Sequence, residues 1–184
     1  MNALRLALLA MLFAACDRVK PAEMSLTSGD TRVTISWKYQ NFPTELTIHE
    51  IRPGKKAELW QTGSGRDTTT TPVGEEIKGG VFAIQPGKEK NFVLAARNTT
   101  GRPIYFFAAP HHLEPAHAGL GFQFKCLCVN HLFKIKPGEI WYRVVRLRIT
   151  RENRAATIDI SHDIVGVDKK GREGYLVDAP EPEG

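Results

Sequence analysis

TRVTISWKYQ, residues 31–40, alternates apolar and polar side chains, with Val33, Ile35, Trp37 and Tyr39 on one face and Arg32, Thr34, Ser36 and Lys38 on the other. A period of two marks a pleated strand with one face in a core; a helix would repeat its apolar positions every three or four residues. Leu46 and Ile48 continue the pattern. Further strand-like runs follow at residues 57–61, 81–85, 91–97, 104–108, 122–129, 139–149 and 156–161, about nine in all. Within 141–150, alternation turns Trp141, Val145, Leu147 and Ile149 inward and Arg146 and Arg148 outward, where charge keeps a strand edge soluble or docks an acidic partner. Three Pro-Gly pairs, Pro53-Gly54, Pro86-Gly87 and Pro137-Gly138, carry the residues a type II turn requires at its two central positions. No amphipathic helix of twelve residues is legible. These signals together specify an all-β fold, an antiparallel β-sandwich of immunoglobulin-like or cupredoxin-like shape.

The 184 residues suit one ordinary domain behind a leader. Residues 1–15 have a short basic start at Arg5 and an apolar run from Leu6 to Ala15, too short for a bilayer span of about 20 residues, and read as a signal peptide. Phe13-Ala14-Ala15-Cys16 resembles a bacterial lipobox, which makes Cys16 a lipidated N-terminus; Asp17 after it resembles the signal that retains lipoproteins at the inner membrane. The expected location is therefore the periplasmic face of the inner membrane, with residues 16–30 as tether, 31–168 as the β domain and 169–184 as a charged, loosely held tail. Residues 63–80, with four consecutive threonines from Thr68 to Thr71, read as a loop or an edge, and Asn98-Thr99-Thr100 as a turn. Net charge is mild, 25 basic against 20 acidic side chains. Such an excess fits attraction to anionic lipid and gives no concentrated, aromatic-rich basic face for nucleic acid.

The chemistry concentrates in GLGFQFKCLCVNHLFKIKPGE, residues 119–139. With Cys16 lipidated, Cys126 and Cys128 are the thiols left free. On an extended strand they share a face about 6.5–7 Å apart, which suits a soft metal better than a disulfide. Two thiolates held this way point to Cu(I) before Zn(II). His131 follows at a distance that supplies a nitrogen ligand, and His111, His112 and His117 crowd the preceding loop; four of the six histidines lie here. The alternative is that both cysteines are core filler, since cysteine is often buried as a small hydrophobe.

The same region resembles the CtaG family, the copper-delivery assembly factors of cytochrome c oxidase. The resemblance runs through Gln85-Pro-Gly-Lys, Ala96-Arg-Asn-Thr-Thr-Gly-Arg-Pro-Ile-Tyr, Phe122 to Val129 and Lys136-Pro-Gly-Glu, a little over a third of the chain. Cys126-Leu127-Cys128-Val129 stands where the family has Cys-Phe-Cys-Phe, and Trp141-Tyr-Arg-Val-Val-Arg-Leu replaces its Met-Pro-Val strand. The resemblance implies a β-sandwich that is not an enzyme and that carries Cu(I) on Cys126 and Cys128 to an oxidase subunit or another copper protein. It leaves open whether two chains pool their cysteines in a homodimer.

Two other classes compete. An electron-transfer cupredoxin uses two histidines, one cysteine and a weak axial ligand that is usually methionine. Met1, Met11 and Met24 all lie in the leader or tether, which counts against that class. A thiol oxidoreductase favours Cys-x-x-Cys at a helix N-terminus, and neither that spacing nor the helix is present.

Overall fold

In the computed structural model, residues 31–40 form a strand whose Val33 and Ile35 are buried, as their alternation requires. The structure describes residues 29–129 and 131–175. The expectations for the signal peptide, for lipidation of Cys16 and for the tether up to residue 28 lie outside the described residues. Among the described residues, no helix is long and apolar enough to cross a membrane.

In chain order the strands are β1 (Thr31–Gln40), β2 (Thr47–Ile51), β3 (Thr62–Gly65), β4 (Val73–Glu76), β5 (Val81–Ile84), β6 (Glu89–Arg97), β7 (Ile104–Ala108), β8 (His112–Glu114), β9 (Phe122–Lys125), β10 (Phe133–Ile135), β11 (Ile140–Ile149) and β12 (Thr157–Gly166). They form the two facing sheets of a β-sandwich. One runs β10-β7-β12-β1-β5, with β8 also on β12; the other runs β3-β11-β6-β2-β4, with β9 also on β11. The pairs are antiparallel except β1 and β12, which run parallel from Arg32 opposite Thr157 to Gln40 opposite Val165. That register sets Trp37 beside His162.

The inner faces meet in one apolar core. Phe106 sits at its centre, with ring centroids 5.0 Å from Phe42, 5.2 Å from Phe133 and 5.1 Å, edge-on, from Trp141. Such tilted and edge-to-face pairs each add about 0.5–1.5 kcal/mol beyond the area they bury. Each Pro-Gly pair makes the expected turn: Gly54, Gly87 and Gly138 have positive φ, and the flanking residues close hydrogen bonds from Lys55 N to Arg52 O, Lys88 N to Gln85 O and Glu139 N to Lys136 O.

Three expectations are corrected. Residues 57–61 are not a strand; the strand lies at β3, inside the stretch read as loop or edge, and β3 and β4 do occupy the two ends of their sheet. Gly63 escapes a propensity-based reading because its value is steric: a Cβ there would come within 2.7 Å of the Tyr142 hydroxyl. Secondly, β11 is no edge. β6 covers one side and β3 and β9 share the other, while Ile140, Tyr142 and Val144 bury its outer face in a second cluster with Val73, Val93 and Ala95. Arg146 is engaged within its own sheet, its Nε donating to Asn91 Oδ1 at 2.8 Å and its Nη1 lying 3.5 Å from a Glu89 carboxylate oxygen. Thirdly, residues 169–175 of the expected tail form a helix, α1 (Lys169–Tyr175). Asp168 Oδ1 accepts from Gly171 N at 2.7 Å, and the Arg172 guanidinium lies 4.6 Å from the Tyr105 ring centre.

Candidate metal centre

Phe122 and Phe124 of β9 point to the sandwich interior, and Gln123 and Lys125 point outward, in the alternation that a strand imposes. The strand then stops. Cys126 and Leu127 are adjacent yet both buried, at 3% and 0% exposure, which no strand with one inner face allows. Residues 126–127 form a bend, a three-residue turn closes from Val129 N to Leu127 O, and His131 N donates to Val129 O, at 2.7 Å each. The expected strand through residue 129 is thus four residues too long. The bend draws the two sulfurs to 3.1 Å, with both cysteines free, Cys126 buried and Cys128 exposed.

Two histidines complete the cluster. His111 follows β7, where Ala109 N donates to Asp163 O of β12 at 2.9 Å and so anchors the loop to the sheet. His162 lies on β12 itself and is fully buried. Nδ1 of His111 is 3.3 Å from Cys128 Sγ and 3.9 Å from Cys126 Sγ, and Nδ1 of His162 is 3.6 Å from Cys128 Sγ. All four ligand atoms lie within 4.8 Å of one another. Around a tetrahedral ion with bonds of about 2.3 Å to sulfur and 2.0–2.1 Å to nitrogen, ligand-to-ligand edges are about 3.3–3.8 Å. The observed spacings bracket that range, so the four groups can hold a metal ion with small adjustments. The Ala109 carbonyl oxygen stands near as a fifth group, 3.4 Å from His162 Nδ1 and 3.8 Å from Cys128 Sγ. Trp37, Phe122 and Phe124 wall the site, with ring centroids 5.4–5.9 Å from one or other imidazole.

One proton is shared between the two thiols. Cys126 is pushed well above the ordinary thiol range, first by its sulfur–sulfur hydrogen bond to Cys128 and then by burial. Cys128 is pulled well below that range, first by the bond from Cys126; burial opposes the shift, and hydrogen bonds with His111 and His162 reinforce it. The two shifts run in opposite directions, favouring the thiolate on Cys128 and the retained proton on Cys126.

The structure brings together Cys126, Cys128 and His111 of the expected residues. It does not bring His112 or His117, both exposed on β8 and the turn after it, nor His131, which packs against Phe133 with ring centres 5.7 Å apart. The residue that sequence reading misses is His162, because the expected strand at 156–161 ends five residues short of the end of β12, just before His162. Its signal was present: Ile158, Ile160, His162 and Ile164 share one face, so an imidazole interrupts an otherwise apolar inward row. The Cys-x-Cys pair is not core filler, since Cys128 is exposed and both sulfurs face imidazoles.

A family model described as a domain of unknown function (DUF8709) matches residues 31–167. The chain belongs to that family. The match takes in the whole cluster, from His111 to His162, and both sheets. No curated protein matches the sequence.

Proposed function

We propose that this is a membrane-tethered periplasmic copper-delivery protein, which binds Cu(I) on Cys126 and Cys128 with help from His111 and His162 and passes it to an oxidase subunit or another copper protein. The observation that carries the reading is the asymmetry of the pair: one thiol anchored in the core and one at the surface, 3.1 Å apart. Soft thiolates favour Cu(I). A delivery protein also has to let go, and an exposed Cys128 gives an incoming thiolate or imidazole a place to displace one ligand while Cys126 still holds the ion. The resemblance to the CtaG family supports the same direction of transfer. In this reading one chain offers four donors, two sulfurs and two nitrogens, which supports a site within a monomer over one shared by two chains.

One observation favours a second reading. Both imidazoles turn Nδ1 toward Cys128, giving the two-histidine, one-cysteine set of an electron-transfer copper site, and a backbone carbonyl such as that of Ala109 can act as the weak axial ligand in place of methionine. Anaerobic titration with Cu(I), followed by native mass spectrometry, decides between them when paired with Cu(II) and Zn(II) titrations. Delivery predicts one Cu(I) per monomer, bound far more tightly than Zn(II) and transferable to a competing thiol ligand. A stable, intensely blue Cu(II) form would establish electron transfer instead, and preference for Zn(II) over Cu(I) would overturn both.

A further inference from the structure

We infer that Cys126 and Cys128 also form a thiol–disulfide couple, which closes into an intramolecular disulfide by exchange with an external disulfide. The sequence argues against this only if the cysteines lie on a strand, where the two Cα atoms stand about 6.5–7 Å apart with Cβ vectors side by side, at or beyond the limit of disulfide geometry. The chain leaves the strand after Lys125 and bends through residues 126–127, and the sulfurs already lie 3.1 Å apart. An S–S bond of about 2.05 Å requires the sulfurs to close by only about 1 Å.

Burial assigns the two sulfurs different parts. Cys128 is exposed and meets the external disulfide; Cys126, at 3% exposure, is shielded from it and has the Cys128 sulfur 3.1 Å away. The Cys128 thiolate attacks one sulfur of the external RS–SR, that bond breaks, one RS⁻ departs, and Cys128–S–SR forms. Cys126 gives up its proton, its sulfur attacks the Cys128 sulfur, and the second RS⁻ leaves. Two protein thiols and one external disulfide become one protein disulfide and two external thiols, with two electrons passing from protein to substrate. A ring spanning a single intervening residue is strained, and strained disulfides are readily reduced, so the step runs in both directions. Closing the bond removes both thiolate ligands. Oxidation therefore expels a soft metal, and a bound metal blocks oxidation; this consequence rests on the copper reading, whereas the exchange itself does not.

The test equilibrates reduced, metal-free full-length protein in glutathione buffers of increasing disulfide fraction, then quenches by alkylation and maps the peptide carrying residues 126 and 128 by mass, which sets Cys16 aside. The expected result is loss of two hydrogens on that peptide, reversed by dithiothreitol. In C126S, Cys128 should be trapped as a glutathione adduct, and in C128S, Cys126 should react at least tenfold more slowly. A wild-type peptide that stays dithiol, or that accumulates only glutathione adducts, overturns the inference, and equal reactivity in the two variants overturns the assigned order. Cu(I) titration of both redox forms separates the claims. Disulfide formation with no Cu(I) binding by the reduced form sinks the copper reading and leaves the exchange standing; Cu(I) binding without disulfide formation does the reverse.

Discussion

His162 and Cys128 touch the same site from opposite kinds of structure. His162 sits in the middle of β12, locked by the nine-residue parallel register with β1 and flanked inward by Ile160 and Ile164. Cys128 sits beyond the end of β9, in a tight turn closed from Val129 N to Leu127 O, with its side chain exposed. The first half of the site is scaffold and cannot move without disturbing the core. The second half presents an exposed sulfur, and that access is what ligand exchange needs. The comparison teaches that this site is half preorganised: position is fixed by imidazole and by the buried sulfur, and release is left to the exposed one.

The largest expected effect tests the sulfurs. Cys126→Ser and Cys128→Ser should each lower Cu(I) affinity by orders of magnitude, because a single thiolate leaves Cu(I) short of a strong ligand. Their stabilities should part. Serine at exposed position 128 should cost about 1 kcal/mol or less, whereas serine at buried position 126 faces a desolvation cost of about 1–3 kcal/mol if its hydroxyl finds no partner. Equal shifts in melting temperature for the two variants would erase the distinction between anchored and exchangeable sulfur.

Next come the imidazoles. His162→Ala removes a fully buried ring from between Trp37, Phe124 and His111, so it should weaken metal binding and also destabilise the domain by about 2–4 kcal/mol, in the range of large-to-small core changes. His111→Ala, from a half-buried loop position, should weaken binding comparably with less than about 1 kcal/mol of lost stability. Chemical denaturation beside metal competition measures both quantities on the same samples.

The proton on Cys126 gives a smaller, graded effect. Its pKa is shifted up by the bond to Cys128 and by burial, which favours keeping that proton at neutral pH, and a metal must displace it to use both thiolates. Apparent affinity should then rise by about tenfold per pH unit as pH increases, with about one proton released per ion, until Cys126 itself begins to ionise. Calorimetry in buffers of different ionisation enthalpy counts the proton. An affinity independent of pH between 6 and 8 would mean that the two thiols do not share one.

The smallest effect is the absence of one. Replacing His112, His117 and His131 together by glutamine should leave Cu(I) affinity within about twofold of wild type, because none of the three joins the cluster. A loss of tenfold or more would place one of them in the site.

Much of this was legible in the chain. Alternation in residues 31–40 and 141–149 assigned inner faces correctly, because side-chain direction on a strand depends only on parity. The Pro-Gly pairs fixed three turns, because proline and glycine restrict or permit φ at their own positions. The pairing of Cys126 with Cys128 was visible as spacing, and the all-β class followed from the absence of any helical period. Parity says which face a residue takes and never which strand lies beside it. The parallel partnership of β1 with β12, the burial of β11 on both faces, and the choice of His111 over its neighbour His112 were therefore decided by the tertiary structure. His162 stands 34 residues from Cys128, and only the closure of one sheet against the other puts its nitrogen 3.6 Å from that sulfur. The bend after Lys125 belongs to the same class: Cys126, Leu127, Cys128 and Val129 all suit a strand locally, and the chain turns because Cys126 and Leu127 are both drawn into the core.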